Sequence, residues 1–256
     1  MNDYGLWLPG SASTFAEAID GSINLVHLLM LLMFIGWGVF FILFLIRYRQ
    51  GAGRAVVPTG FPKKAIPLAM IAFVTVFDGY MLLGHTLPFW KHFKRDLPTA
   101  EESTVVRVVA QQFAWNIHYP GADGIFGRTD PYLVDEQSNP VGLDRSDPVA
   151  VDDVTTIGQL HLPDDRPVLI HLTTKDVIHS FSLPIMRVKQ DAIPGMSIPV
   201  WFVPTRTGTW QIACAQLCGN SHYRMKGILK VETAAEFSAW MAEKAADLAE
   251  EGEEVW

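Results

Sequence analysis

Hydrophobic and polar positions are arranged in two different ways along this chain of 256 residues. Near the N-terminus the apolar residues run almost unbroken. Asn24–Ile46 holds no Asp, Glu, Lys or Arg, and Ala65–Leu87 holds only Asp78. At ~1.5 Å per residue, either run crosses a ~30 Å hydrocarbon layer as one helix. The second leads into Pro88, Phe89 and Trp90, which suit a membrane–water boundary. The first exceeds the ~7–15 residues of a signal-peptide core and lacks a basic flank and a small-residue cleavage site, so it is expected to stay in the membrane.

From residue 96 the pattern becomes short-ranged. Thr104–Ala110, Phe113–Tyr119, Pro167–Thr173, Ile198–Val203 and Thr209–Ala213 are β-branched or aromatic runs punctuated by Gly, Pro, Asp and Asn. Such runs predict the strands of an all-β sandwich or barrel. Gly121–Asp153, rich in Gly, Pro and Asp, is expected as a long surface excursion, and Ala234–Glu250 has the spacing of a short terminal helix with an acidic end. The expected architecture is a two-helix transmembrane hairpin within residues 1–95, with spans near 24–46 and 65–87. An external all-β domain follows over residues 96–256, with a C-terminal helix near 234–250.

Composition sharpens this picture once it is divided. The chain is 49% hydrophobic and 18% charged, with net charge -7. Residues 1–95 carry 4 acids and 8 Lys/Arg, net +4, whereas residues 96–256 carry 23 acids and 12 Lys/Arg, net -11. Two spans cannot alone enclose a transport pathway. With 11% aromatic residues and only two cysteines, neither a disordered chain nor a disulfide scaffold fits. The connection between the spans carries Arg47, Arg49, Arg54, Lys63 and Lys64 and no acid, while Asp3, Glu17 and Asp20 precede the first span without a base. The positive-inside rule therefore puts the connection inside and both termini outside. An acidic external surface argues against nucleic acid; it either attracts a basic partner or simply confers solubility. His27, Asp78 and His85 are the polar exceptions within the spans, and Asp78 either meets another subunit or takes part in chemistry.

Both cysteines lie in Gln211–Lys226, QIACAQLCGNSHYRMK, where Cys214, Cys218, His222 and Met225 are spaced C-x3-C-x3-H-x2-M. One loop can fold two thiolates, an imidazole and a thioether around a single site. Soft sulfur with imidazole suits copper, and a weak Met beside Cys and His is the pattern of electron-transfer copper, here with one extra Cys. Two thiolates can also bridge two metals, and a second imidazole must then come from elsewhere. Among His118, His161, His171 and His179, the last is favoured, because it follows a turn and opens a loop-to-strand edge, HSFSLP. Copper is the favoured reading; a zinc site of Cys214, Cys218, His222 and His179, or a disulfide, stays open.

The segments DVIHSFSLP (Asp176–Pro184), KQDAIPGM (Lys189–Met196), PTRTGTW (Pro204–Trp210) and CAQLCGNSHYRM (Cys214–Met225), with the hairpin before them, resemble subunit II of the haem–copper cytochrome c oxidases over nearly the whole chain. That resemblance implies a cupredoxin-like barrel carrying the binuclear copper centre CuA. Cys214 and Cys218 would bridge two coppers, His179 and His222 would each bind one, and Met225 and the backbone carbonyl of Gln216 would complete the set. It also implies a respiratory role: electrons taken from a c-type cytochrome and passed to haem a in subunit I, where oxygen reduction is coupled to proton pumping. The implied partners are subunit I, the other oxidase subunits, a soluble or membrane-bound c-type cytochrome and the lipid bilayer. The implied location is a bacterial inner membrane with the copper domain on the outer side.

Three departures from the family pattern matter. Gln216 stands where many members have a Glu whose side chain helps hold an interface magnesium, so the resemblance does not carry that site over. The usual Gln-Trp-x-Trp stretch reads Gln112-Phe113-Ala114-Trp115, so electron intake shifts from the family's first Trp to Phe113, Trp115 or another exposed aromatic. No acid occurs around Lys63–Pro67, where the family often has one linked to proton uptake. No C-x-x-C-H occurs either, so no c-type haem is expected in this chain. Asp123, Asp130, Asp135 and Glu136, on the expected excursion, are candidates for docking the cytochrome. A membrane-anchored copper-delivery protein and a zinc-stabilised binding module are the rivals, and neither uses the DVIHS and DAIPG segments.

Overall fold

The structure, a computed structural model, describes residues 8–50 and 64–253, the last five by backbone alone. Arg54 and Lys63 of the basic connection, and Asp3 before the first span, lie outside the described residues.

The apolar runs form the expected helices, each longer than its uncharged stretch. Helix α1 is Ala16–Tyr48. Helix α2, Ala65–Tyr80, continues through a wider π-type turn at Met81–Thr86 into α3, Leu87–Arg95. Both are long and apolar enough to cross a membrane. Their side chains are exposed on every face, as with Phe34 (76%) and Val76 (71%), the pattern of a helix whose solvent is lipid. Two of the polar exceptions are served locally: His27 Nδ1 donates to the Ile23 carbonyl at 2.8 Å, and His85 Nε2 lies 3.0 Å from the Tyr80 hydroxyl.

The second unit is built from two five-stranded sheets. One has the order β3-β2-β1-β5-β8, from β1 (Thr104–Gln111), β2 (Ala114–Tyr119), β3 (Val154–Ile157), β5 (Val168–Thr174) and β8 (Ile198–Phe202). The other has the order β4-β10-β9-β6-β7, from β4 (Gln159–Pro163), β6 (His179–Leu183), β7 (Val188–Ala192), β9 (Gly208–Cys214) and β10 (Lys226–Glu232). Pairing is antiparallel except for β1 with β5 and β4 with β10. Alternation decides the core. Val106, Val108, Ile117, Leu160, Leu162, Ile170, Leu172, Phe181 and Ile212 are fully buried, each stabilising the fold by about 1.5–3 kcal/mol.

The Gly121–Asp153 excursion is pinned, not loose. Val141, Leu143 and Ala150 bury against Val109. Two short 3-10 turns, Pro131–Leu133 and Pro148–Ala150, are capped by the Asp130 and Asp147 carboxylates. At its end Asp153, fully buried, accepts from His118 Nε2 at 2.6 Å and from the Gly127 N–H at 2.8 Å.

Helix α4, Ala234–Glu253, opens on a capping box. Thr233 Oγ1 accepts from the Glu236 N–H, and Glu236 accepts from the Thr233 N–H at 2.9 Å. Trp240 anchors it, lying flat on His161 at 4.0 Å between ring centres and edge-on to Tyr119 at 5.3 Å. Residues just before α1 also join this unit: the Ala12 N–H donates to Ile185, and the Thr205 N–H donates to Ala12.

Candidate metal centre

The site sits where three strands of one sheet meet. β9 ends at Cys214 and β10 begins at Lys226, directly after Met225, and the two strands pair from Lys226 opposite Ala213 onward. The intervening loop must therefore close over the end of the sheet. β6 pairs with β9, Phe181 opposite Cys214, which brings His179, the first residue of β6, alongside the loop. Two backbone bonds tie the loop down: the Cys214 N–H donates to Met225 and the Ala215 N–H to Ser180.

Two donor groups result, and they share the cysteines. Cys214 and Cys218 have sulfurs 3.7 Å apart. On one side His179 Nδ1 lies 3.1 Å from Met225 Sδ and 4.0 Å from Cys214 Sγ, with Met225 Sδ 3.7 Å from Cys218 Sγ. On the other, His222 Nδ1 lies 3.6 Å from Cys218 Sγ, and the Gln216 carbonyl oxygen lies 3.1 Å from Cys214 Sγ. His179, Cys214 and Cys218 are close enough to hold one ion together. The cysteines are unbonded, since a disulfide needs about 2.05 Å. Burial, and then the neighbouring Cys214, push the Cys218 thiol up to about 11, so a metal must displace its proton on binding.

Polar contacts hold the candidate donors from behind. Asp176 Oδ1 accepts from His179 Nε2 at 2.8 Å, and Asp176 Oδ2 accepts from the Gln112 N–H at 2.6 Å. Gln112 Nε2 donates to the Cys218 carbonyl at 2.7 Å. Burial raises the Asp176 carboxyl, but the bonds from Gln112, His179 and Val177 outweigh it and leave it below the ordinary range. Neither Asp176 nor Gln112 was among the sequence candidates. The available signal was an acid three residues before the candidate histidine His179.

The other candidate histidines lie away from this loop, His118 in β2, His161 in β4 and His171 in β5. His118 meets Asp153, and His161 Nδ1 meets Glu232 at 2.6 Å. His171 pairs in register with Arg107.

Trp115 corrects an expectation. It is not an exposed aromatic but is fully buried, edge-on to Phe181 at 5.4 Å and to His179 at 6.2 Å between ring centres. Its place in β2 points it into the core, so it offers no surface to a partner. Phe113, at the tip between β1 and β2, is half-buried. Its ring, with the Gln112 amide, fills the space beside Gly219, where a Cβ would come within 3.0 Å of the ring. The acids of the excursion are shared with local structure. Asp123, Asp130 and Asp135 accept from the backbone N–H groups of Ile125, Tyr132 and Gln137, while Glu136 is exposed.

A β-sandwich that collects two thiols, two imidazoles, a thioether and a carbonyl at one sheet end defines a protein with a soft-ligand metal centre of the kind copper favours. Residues 104–232 match the family described as cytochrome c oxidase subunit II, periplasmic domain, and the chain belongs to that family. It is 38% identical over 164 residues to the alternative cytochrome c oxidase subunit 2 of Bradyrhizobium diazoefficiens, covering 64% of this chain and 58% of that one. It is 28% identical over 255 residues to cytochrome c oxidase subunit 2 of Thermostichus vulcanus, covering 91% and 77%. The chain thus spans little more than half the length of the first relative. Among solved structures, the periplasmic domain of subunit II of the Bradyrhizobium japonicum cytochrome oxidase aligns with a TM-score of 0.43 at 26% identity, over 59% of this chain and 99% of that one.

Proposed function

We propose that this chain is the electron-accepting subunit of a terminal respiratory oxidase. In this reading it takes electrons from a c-type cytochrome outside a bacterial inner membrane and delivers them to haem a in subunit I, where oxygen is reduced and protons are pumped. One observation carries the reading: a single pair of thiols serves two donor sets, His179 with Met225 and His222 with the Gln216 carbonyl. Cys214 and Cys218 would bridge two coppers, and each donor set would complete one of them. Copper held there supplies one-electron redox chemistry.

The chain's own groups do the rest. Paired strand ends hold His179, Cys214 and Met225 against a packed core, so the ligand frame resists rearrangement between redox states. Burial of Cys218, Met225 and His179 keeps water from the sulfur side of the site. Phe113, half-buried at the adjoining tip, is the proposed aromatic through which electrons arrive, with Asp123, Asp130, Asp135 and Glu136 attracting a basic donor. The hairpin holds the domain at the membrane beside subunit I, with both termini outside.

The test uses the full chain in mild detergent, loaded with copper and mixed with reduced c-type cytochrome. Two firmly held coppers per chain and rapid oxidation of the cytochrome are expected. One exchangeable copper, as in a delivery protein, or colourless zinc binding in preference, contradicts the reading.

A further inference from the structure

Gln112 has no assigned part in the site, yet it contacts both halves of it. Its backbone N–H donates to Asp176 Oδ2 at 2.6 Å, and its side-chain Nε2 donates to the Cys218 carbonyl at 2.7 Å. Asp176 spends its other oxygen on His179 Nε2, at 2.8 Å, and on the Val177 N–H, at 2.6 Å. The Thr174 hydroxyl lies 3.2 Å from that oxygen as well.

The direction of these bonds matters. An ionised carboxylate only accepts, so His179 must carry its proton on Nε2. Nδ1 is then left with its lone pair, and Nδ1 is the atom facing Met225 Sδ at 3.1 Å and Cys214 Sγ at 4.0 Å. Asp176 therefore selects the tautomer able to bind a metal, as a carboxylate behind a ligand histidine does in general. Gln112 links that carboxylate to the loop holding the thiols. The residues joined are 64 and 106 positions apart in sequence, so the latch adds long-range side-chain ties to the β6–β9 pairing that brings His179 beside the loop.

We infer that Gln112 and Asp176 are positioning residues forming one latch, which sets His179 against the Cys214–Cys218 loop and so tunes the metal centre. This deepens the proposed function and rests on it. Phe113 is the next residue, so the latch also ties the electron-intake tip to the same frame.

Two isosteric changes test it. In Asp176→Asn one oxygen becomes an NH2 group. That group either opposes the Gln112 N–H, donor against donor, or turns to His179 and forces its proton onto Nδ1. In Gln112→Glu the side chain becomes an acceptor facing the Cys218 carbonyl, while the backbone bond to Asp176 survives. Each variant is made in the full chain in detergent and loaded with copper. Folding is followed by circular dichroism, copper affinity by competition with a chelator, and the centre by its optical spectrum and reduction potential.

The latch predicts folded variants that hold copper about 10–100-fold more weakly, with an altered spectrum and a displaced potential. The double variant should change less than the two singles combined, because both cut the same link. Wild-type affinity, spectrum and potential in Gln112→Glu overturn the latch, and that variant decides alone if Asp176→Asn does not fold. Strict additivity of two sizeable single effects also counts against it. A wild-type chain without a two-copper centre would instead overturn the functional proposal beneath it.

Discussion

At the scale of single residues, chemistry was easier to read than support. Cys214, Cys218, His222 and Met225 announce themselves by spacing, because one loop supplies all four. His179 was reachable through its turn. Gln112 was not, since its value comes from bonds across strands that the spacing does not encode, and Asp176 left only the local signal of an acid three residues before His179. Trp115 misled for a related reason: β2 is buried on both faces, Asn116 and His118 as fully as Trp115 and Ile117, so an aromatic in either phase is interior. His118 gives a prediction at this scale. Burial lowers its basicity, against the pull of Asp153, so the folded state holds it neutral and the unfolded chain binds its proton more readily. Stability from this group is thus present above the ordinary histidine range near about 6.5 and declines as pH falls below it. Denaturant titrations at pH 5 and pH 7.5 should show that loss, and His118→Gln should shrink it. His118→Ala would leave Asp153 buried without the imidazole's hydrogen bond and is expected to cost about 1–3 kcal/mol.

Elements follow the hydrophobic period where one face meets the core and the other meets water. β1, β2, β5, β8 and β9 fall within a residue or two of the apolar runs that predicted them. β3, β4, β7 and β10 gave weaker signals. β4 and β10 lie side by side with α4 packed near their outer face, so His161 and Glu232 are buried polar residues that blur the alternation. Helix α4 depends on that contact. Trp240→Ala removes the stack on His161 and should cost about 2–3 kcal/mol, less than the 3–5 of a fully buried Trp. Thr233→Ala breaks the capping box and should cost about 1 kcal/mol. Denaturation midpoints check both. In the copper loop, Gly219 has φ +139 and no room for a Cβ beside Phe113 and Gln112. Gly219→Ala should therefore displace the tip and weaken copper binding without unfolding the sheets, a difference visible by copper analysis alongside circular dichroism.

The whole molecule is two parts with opposite demands. The helices expose apolar surface on every side, and the β unit buries its apolar surface between two sheets. The hairpin was legible because unbroken apolar length has few other uses, and the barrel because its strands are punctuated. Residues 96–256 carry net -11, a charge to which the proposed function gives a part. If that charge steers a basic donor, oxidation of reduced cytochrome should slow as ionic strength rises, and stopped-flow mixing at low and high salt checks it. The central claim is narrower: one pair of thiols holding two metals. Electron paramagnetic resonance of the copper-loaded, half-reduced chain tests it most directly. A single unpaired electron shared equally between two coppers is the predicted signal, and a spectrum of one isolated copper would contradict the account.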